Sequence, residues 1–378
     1  MNNRFLLALS ILVGTIIGGG IFALPYVFSQ SGIVPALFYF ILLGGAVILL
    51  HLFFGEVCLR TKEKARLIGY ASKYLGSWGK GLATFSTLFW IIGTLLVYII
   101  LAGDFLYIIL GEIIPFSQTA FSLLFWALLS FFILRGIQLI AKAELIMNIV
   151  LFAGIFLIFF FATPHIQLKN FSLINTDNLF LPYGVILFAL AGWPAIPEIV
   201  DFFKGKHEKR NIDNVIVIAG VIIIALYLAF SLFVVGVSGS ATSPDALQGL
   251  IPFLGKGVIV LGSVLGLTAI AASFLILGNY LKNSLRYDFH FPYIFSAGIS
   301  IIAPLLLFLI GFQEFILVLS IVGLIAVIDG VLIVALFLKV KNKGTREPEY
   351  ELRIPRFLPY LVAIVLIGGA IVELLSFL

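Results

Sequence analysis

The stretch GTIIGGGIFALPY, residues 14–26, interrupts a long apolar segment near the start of the chain. Three successive glycines, at positions 18–20, stand in its middle, and Pro25 follows. Glycine disfavours the helix and proline removes an amide donor, so we expect a helix to unwind here.

A second stretch, GVILFALAGWPAIPEI at residues 184–199, has the same character, with Gly192, Pro194 and Pro197 inside an apolar run. An unwound backbone at membrane depth is tolerated only where it is buried or lines a cavity. Glycines can also serve close helix packing alone. Because two segments are interrupted, we favour a substrate site over packing.

The composition places the chain in a membrane. Of its 378 residues, 62% are hydrophobic and 11% are charged, whereas soluble domains carry roughly 25% charged residues. The apolar runs approach or exceed the roughly 20 residues that span a bilayer as a helix, and they are too long for barrel strands. The prediction is an all-α integral membrane protein. The single cysteine, Cys58, permits no internal disulfide.

Eleven apolar segments can be placed between charged or turn-rich breaks. They are residues 5–29, 33–58, 82–110, 117–134, 138–163, 179–203, 212–238, 256–283, 291–311, 314–338 and 357–377.

The basic residues indicate an orientation. With a cytoplasmic N-terminus, all of the 23 lysines and arginines except Lys169 and Lys256 fall on the inner side, as short loops of membrane proteins require. Eleven helices then place the C-terminus outside. The expected location of the protein is the plasma membrane. A signal peptide is the alternative for the first segment, but its apolar run is longer than a signal core. Topology explains the net charge of +5 without nucleic-acid binding.

The two interrupted segments are the first and the sixth, so they occupy matching positions in two groups of five helices. An odd number of helices makes the second group enter the membrane from the opposite side. We therefore predict an inverted repeat, with residues 1–163 as the first five-helix unit and 179–339 as the second. Residues 357–378 form an additional, peripheral helix.

Such paired breaks predict the chemistry of the ligand. The positive end of a half-helix and its free amides can receive a carboxylate. Unpaired carbonyl groups at the second break can receive an ammonium group or a cation. A zwitterionic amino acid fits both ends.

At these segments the sequence resembles the amino acid/polyamine/organocation superfamily, which has the LeuT-type inverted-repeat fold. Within it, the sequence is most similar to the hydroxy/aromatic amino acid permeases and the related amino acid/auxin permeases. The segments that carry the resemblance are GTIIGGGIFALP (14–25), IPEIV (196–200), the helix 8 stretch 253–283 followed by Arg286-Tyr287-Asp288, and the helix 10 stretch 320–339.

The resemblance implies that the backbone at the two breaks holds the α-carboxylate and the α-amine of the substrate. It also leads to neutral, large or aromatic amino acids as the expected substrates. Trp193 could gate the site or stack on the substrate, or simply pack. The residues implied are Thr15, Ile17, Gly18, Gly19, Gly20, Ile21, Ala191, Gly192 and Trp193.

Charged side chains inside a membrane need a partner or a function. Asp329 lies ten residues before Lys339, or about 15 Å deep, and is a candidate for proton binding or gating, with an interhelical hydrogen bond as the alternative. Asp104 is a candidate for an extracellular gate, and Glu198 could face the inner vestibule.

Three further polar residues are given structural roles. Asp201 is expected to pair with Lys204 at the surface, and Glu56 is expected to pair with Arg60 four residues later. His51 has no partner in the sequence and is interpreted as a packed side chain.

The coupling ion is predicted from helix 8. A LeuT-type sodium site combines helix 1 carbonyls with helix 8 hydroxyls. Thr268 and Ser273 are five residues apart, about 500° around a helix, so they point to different faces. Sodium at Ser273 with helix 1 carbonyls remains the alternative, and a proton is favoured as the coupling ion. No other cofactor is implied.

Functions other than that of a carrier have little support in the sequence. The four histidines, at positions 51, 165, 207 and 290, lack metal-ligand spacing. The longest loop, 59–81, contains no recognisable nucleophile and base, so an integral-membrane enzyme is remote. No ring of charge suggests a channel. The prediction is an ion-coupled amino acid symporter working by alternating access, with another small organic solute as an alternative. Its partners are the amino acid and the lipid bilayer, and the oligomeric state is open.

Overall fold

The fold is helical throughout the described part of the chain. The computed structural model describes residues 3–136, 141–287 and 289–376. Two residues used above lie outside this description: Asp288, which is part of one quoted motif, and the side chain of Lys142, one of the basic residues expected on the inner side. The helices are α1 Asn3–Ile16, α2 Gly20–Ser31, α3 Ile33–Leu59, α4 Leu67–Leu110, α5 Gln118–Leu134, α6 Ala141–Ala162, α7 Pro182–Leu190, α8 Ala195–Phe202, α9 Lys206–Lys209, α10 Ile212–Ser238, α11 Ile251–Leu254, α12 Lys256–Tyr287, α13 Tyr293–Leu309, α14 Phe315–Lys343 and α15 Leu358–Ser376.

The apolar helices agree with the predicted segments in order and position. Among the described residues, seven helical segments are long and apolar enough to cross a membrane, and α1 with α2 forms a bent pair that also qualifies. Three shorter apolar helices lie at 118–134, 149–165 and 293–309. The protein is therefore a multi-pass membrane protein.

The predicted loop 59–81 is wrong over most of its length, because α4 begins at Leu67. Gly76 interrupts α4 with a φ of 77°, a left-handed conformation that side chains with a Cβ disfavour. The chain changes direction there, so residues 67–75 form a separate helical segment that precedes the apolar part of α4.

Ion pairs join segments that the sequence places on the same side of the membrane. At the end of the bundle that we term the basic end, four such pairs are Arg4–Glu208, Arg60–Glu351, Lys64–Asp201 and Arg66–Glu198. At the other end, Lys256 pairs with Glu112. The expected pairing of Asp201 with Lys204 is wrong. Asp201 contacts Lys64 and Arg66 instead, because α8 packs beside the α3–α4 connection.

The predicted pair of Glu56 and Arg60 is confirmed, with Arg60 Nε 2.7 Å from Glu56 Oε1. Glu56 is fully buried, and its other oxygen accepts from the backbone amide of Leu352 at 2.8 Å. Arg60 also contacts Glu351. The carboxylate thus fastens the segment between α14 and α15 to the end of α3.

We expect Glu56→Gln to destabilise the protein. The substitution removes the buried partner of the Arg60 guanidinium and leaves it with the exposed Glu351 alone, so the cost should lie below the roughly 3–5 kcal/mol of breaking a fully buried pair. The apparent Tm in detergent should fall by several degrees. The matched control is Glu63→Gln. Glu63 also has a basic partner, since a hydrogen bond from Lys73 lowers its pKa, but it is exposed to solvent. The Tm of this variant should stay at the wild-type value because exposed pairs contribute little. Equal Tm values for the two variants would contradict this role.

The last helix is peripheral as predicted, and one of its faces is attached to α7. Tyr183 on α7 donates its hydroxyl to the carbonyl of Leu366 at 2.5 Å. Gly369 lies directly against the Tyr183 ring, leaving no room for a Cβ. The additional helix therefore contacts the first half of the sixth apolar segment.

Candidate functional site

Both predicted breaks are present. Residues 17–19 separate α1 from α2, and the two helices are bent by 53° relative to each other. Residues 191–194 separate α7 from α8. Glycine and proline therefore act here as their local preferences predict.

The two breaks lie against each other. A Cβ added to Gly20 would be 2.7 Å from the Cα of Ala189, and one added to Gly192 would collide with the Ile16 side chain. At Gly20 the two backbones approach too closely for a side chain, whereas at Gly192 the Ile16 side chain already fills the space that a Cβ would need. The close contacts confirm the packing interpretation of these glycines, and the substrate-site interpretation stays a prediction.

A tyrosine hydroxyl on α10 bridges the breaks. The Tyr227 hydroxyl lies 2.9 Å from the carbonyl oxygen of Ile16 and 3.2 Å from that of Ala189. Tyr227 is fully buried. Its single proton lies between these two acceptors, and the Ile16 carbonyl also accepts from the Gly18 amide at 2.8 Å, so the hydroxyl links carbonyl groups at the ends of α1 and α7.

A second tyrosine, Tyr98 on α4, occupies the first break. Its hydroxyl interacts with the Ser273 side chain and accepts from the backbone amide of Gly19. A Cβ on Gly18 would collide with the same hydroxyl. A free amide at a helix break is a donor of the kind that binds carboxylates, and here the Tyr98 hydroxyl occupies it.

A cavity of about 540 Å³ extends from the breaks towards the basic end. It lies between α1, α8 and α12. Glu198 and Asp201 lie at its mouth, where they pair with Arg66. The lining includes Ile11, Thr15, Pro194, Ala195, Glu198, Asp201, Tyr280 and Asn283.

The opposite end is closed by aromatic packing. The Phe22 ring lies 4.8 Å from that of Phe105 and 6.0 Å from that of Phe230, measured between centroids. Asp104 lies further along α4, close enough to Asp245 to interact electrostatically. Asp245 belongs to the connection between α10 and α12, and burial raises its pKa. The breaks are therefore reached from the basic end only, as far as the described residues show.

A buried polar cluster lies behind the second break. Asp329 on α14 accepts from the Ser86 hydroxyl on α4 and from Trp193 Nε1, the latter at 3.2 Å. The carboxyl group is 2% exposed. His51 and Trp90 flank the Trp193 ring, each with its centroid 6.3 Å away.

This cluster contains unsatisfied polar atoms. His51 Nε2, Thr87 Oγ1 and Trp90 Nε1 are buried and have no hydrogen-bond partner among the residues that the structure describes. A void of about 10 Å³ borders Asp329, Thr87 and Trp90, which is about the smallest volume that holds one water molecule. Pro194 and Tyr280 line both this void and the large cavity.

The whole chain matches a known family. The sequence profile of the tryptophan/tyrosine permease family matches residues 1–374. The chain belongs to the tryptophan/tyrosine permease family. The resemblance to aromatic amino acid permeases is confirmed, and the chain is a transporter rather than an enzyme.

One individual sequence and one solved structure are also similar to this chain. Glutamine transporter 2 of Aliivibrio fischeri (strain ATCC 700601 / ES114) is 25% identical over 369 residues, covering 94% of each chain. Among solved structures, MhsT in complex with L-phenylalanine has a TM-score of 0.64 at 16% identity, and the match covers 100% of this chain and 98% of that one. The latter shows that the fold is of the LeuT type.

The predicted site residues take different positions in the transporter. Thr15 lines the large cavity and donates its hydroxyl to the carbonyl of Ile11 at 2.8 Å. Glu198 also lines that cavity, as expected, and contacts Arg66 at 2.6 Å. Trp193 is 1% exposed and its indole points to Asp329, so the ring holds the second break to α14. The remaining residues, Ile17, Gly18, Gly19, Gly20, Ile21, Ala191 and Gly192, lie in or beside the breaks and are buried.

The two helix 8 hydroxyls point to different faces, as their spacing predicts. Ser273 is buried and engaged by Tyr98. Thr268 is exposed and donates to the carbonyl of Val264 at 2.8 Å. Thr268 therefore does not join Ser273 in a common ligand set.

Sequence reasoning missed Tyr98 and Tyr227, and it treated His51 as isolated. The signal was available for the tyrosines, because a phenolic hydroxyl deep in an apolar segment needs a hydrogen-bond partner. For His51 no signal existed, since its neighbours Trp90 and Trp193 come from other helices.

We expect Tyr98→Phe to alter substrate affinity. The substitution removes the hydroxyl that engages Gly19 and Ser273 while keeping the ring that packs on the break. A change of about 1–2 kcal/mol, or roughly five- to thirtyfold in Kd, is expected for one hydrogen-bonding group. Binding to detergent-solubilised protein measures it. Tyr107→Phe, at an exposed position of the same helix, is the matched control; equal affinities for the two variants would remove Tyr98 from the site.

Proposed function

We propose that the protein is a secondary active transporter of neutral amino acids, with large or aromatic side chains favoured, coupled to protons and working by alternating access. The observation that carries the proposal is the contact between the two breaks at the inner end of a 540 Å³ cavity. Half-helix ends and free backbone groups then meet where a zwitterion can reach them.

A neutral side chain suits the surroundings of the breaks. The charged residues of the cavity, Glu198 and Asp201, lie at its mouth and are balanced by Arg66 and Lys64. Phe22 and Phe105, which are buried beside the first break, are apolar, and the tyrosine hydroxyls at the breaks are uncharged. Glutamine and phenylalanine, the amino acids in the names of the two similar proteins, are both uncharged, which supports this class.

Three observations support proton coupling. The carbonyls of Ile16 and Ala189 are occupied by the Tyr227 hydroxyl. The Ser273 hydroxyl is engaged by Tyr98, and Thr268 is exposed elsewhere, so these oxygens do not converge on a sodium ion. Asp329, by contrast, is a buried carboxyl group bonded to the second break. Sodium coupling through Ser273 is the alternative.

The mechanism we propose alternates the access of one central site. The basic end is the cytoplasmic side by the charge distribution of the loops, so the structure corresponds to an inward-facing state of a plasma-membrane protein. The five-helix units 1–163 and 179–339 supply one break each, and 357–378 is additional. Opening to the outside requires separation of Phe22 from Phe105 and Phe230, with Asp104 and Asp245 at the outer rim.

The test is uptake of radiolabelled amino acids into proteoliposomes under imposed proton or sodium gradients. Accumulation of neutral amino acids above equilibrium under a proton gradient alone is the expected result. Accumulation that requires a sodium gradient would show that sodium, and not the proton, is the coupling ion. Uptake that equilibrates without accumulating would favour a channel, and no uptake of any amino acid by folded, inserted protein would favour another organic solute.

A further inference from the structure

A carboxyl group outside the proposed site is buried in the outer half of the protein. Glu373 on α15 is 1% exposed. Its nearest polar neighbours are Gly184 on α7 and Ser320 on α14. A Cβ added to Gly184 would lie 2.7 and 2.8 Å from the two carboxyl oxygens. The group is therefore wedged where three helices meet.

This carboxyl group has no cationic partner among the described residues. The Gly184 amide and the Ser320 hydroxyl are close to it, but within the described part of the chain neither oxygen of Glu373 has a hydrogen bond of acceptable geometry, and the Ser320 hydroxyl is also unsatisfied. Among the ion pairs of the described residues, none includes Glu373. A charged carboxylate buried in this way is costly, whereas a protonated carboxyl carries a donor for the serine.

In the part of the chain that the structure describes, no cation faces Glu373. Helix α15 packs against α3, α7 and α14. The titratable groups that interact with Glu373 are Tyr39 on α3 and Tyr183 on α7. On α14 the nearest acidic or basic residue in the inward direction is Asp329, nine residues beyond Ser320, or about 14 Å along the helix.

The position of Glu373 links its burial to the movement of α7. Helix α7 is the outer half of the sixth apolar segment, and its Gly184 carbonyl lies directly against Gly323 of α14. Any outward opening that moves α7 away from α14 and α15 would expose Glu373 to the outer solution. Closing buries it again.

We propose that Glu373 is a proton-binding site that must be neutral for α7 to close against α14 and α15, so that external pH controls the outer gate. The proton comes from the outer solution when the gate is open and returns to it on reopening. The site thus differs from Asp329, which faces the second break. The inference rests on the proposed function as an alternating-access carrier.

The test is substrate counterflow in proteoliposomes with the same pH on both sides, which removes any driving force from a gradient. From about pH 6 to about pH 9 the wild-type rate should fall, approaching about tenfold per unit above the midpoint for one required proton. Glu373→Gln, which is permanently neutral, should keep its low-pH rate within about twofold over this range. Glu314→Gln, an exposed glutamate at the outer end of α14, is the matched control and should follow the wild type.

The outcomes separate the two proposals. A Glu373→Gln profile that falls like the wild type would overturn the inference and leave the carrier intact. Absence of counterflow in folded wild-type protein at every pH would overturn the proposed function and the inference with it.

If Glu373→Gln does not fold, the wild-type protein still gives an answer. A protonated carboxylic acid adds across a C=N bond of dicyclohexylcarbodiimide, its oxygen bonding to the carbon and its proton going to the nitrogen; the resulting O-acylisourea rearranges by an oxygen-to-nitrogen acyl shift to a stable N-acylurea. We expect mass spectrometry to find Glu373 labelled at low pH, with labelling lost at the midpoint of the counterflow profile. No labelling at any pH, or labelling independent of pH, would overturn the inference.

Discussion

Proteoliposomes containing Asp329→Asn should lose proton-driven accumulation of substrate, by about tenfold or more, while counterflow stays within about threefold of the wild type. Asparagine keeps the size of the side chain; its amide oxygen can accept from Trp193 Nε1 while its NH2 group donates to the Ser86 hydroxyl oxygen, so both contacts of Asp329 can be replaced. It cannot bind and release a proton. The loss should therefore appear in coupled accumulation and spare the exchange of substrate for substrate.

The split between the two assays distinguishes a coupling role from a structural one. Asp177→Asn, at an exposed aspartate in the connection between α6 and α7, is the control and should leave both activities unchanged. If Asp329→Asn lowered accumulation and counterflow equally, the carboxyl group would be a structural link between α4, α14 and the second break. Unchanged accumulation would remove Asp329 from proton coupling altogether.

For Gly19→Leu we expect substrate affinity to fall by about 100-fold or more in a protein that remains folded. A Cβ at this position already lies 3.2 Å from two atoms of the Tyr98 ring and 3.3 Å from Leu101. A leucine would extend into the space between the break and α4. It would also cover the amide that now donates to Tyr98.

The matched control for this substitution is Gly45→Leu. Gly45 lies on the exposed face of α3 with no atom within 4 Å of an added Cβ, so the same change in helix propensity is made without steric conflict. Size-exclusion profiles establish that both variants fold, and a binding assay compares them. Wild-type affinity in Gly19→Leu would place the substrate away from the first break.

Local chemistry was sufficient to predict the two breaks and most of the helices. Three consecutive glycines, or a glycine with two prolines, weaken a helix wherever the segment lies in the fold. The apolar runs are set by the thickness of the bilayer, so their positions could be predicted to within a few residues. The i, i+4 pair of Glu56 and Arg60 is local in the same sense, and it is present at 2.7 Å.

The same local reasoning went wrong where a partner comes from elsewhere in the chain. Asp201 is three residues from Lys204, yet α8 packs beside the α3–α4 connection and gives it Lys64 and Arg66 instead. Glu373 could have been noticed as an acidic residue inside a predicted segment, by the rule applied to Asp329. Its confinement by Gly184 and Ser320 could not have been predicted.

The sequence by itself determined the membrane environment, the helical class, the order of the apolar segments and the positions of the two breaks, because each depends on neighbouring residues and on the surrounding solvent. Only the tertiary structure decided that the breaks touch, that Tyr98 and Tyr227 occupy them, and that Asp329 holds Trp193. These contacts join residues on different helices that lie between 38 and 243 positions apart in the sequence. Helix packing brings them within hydrogen-bonding distance. No preference of the local chain encodes which of many apolar surfaces will meet.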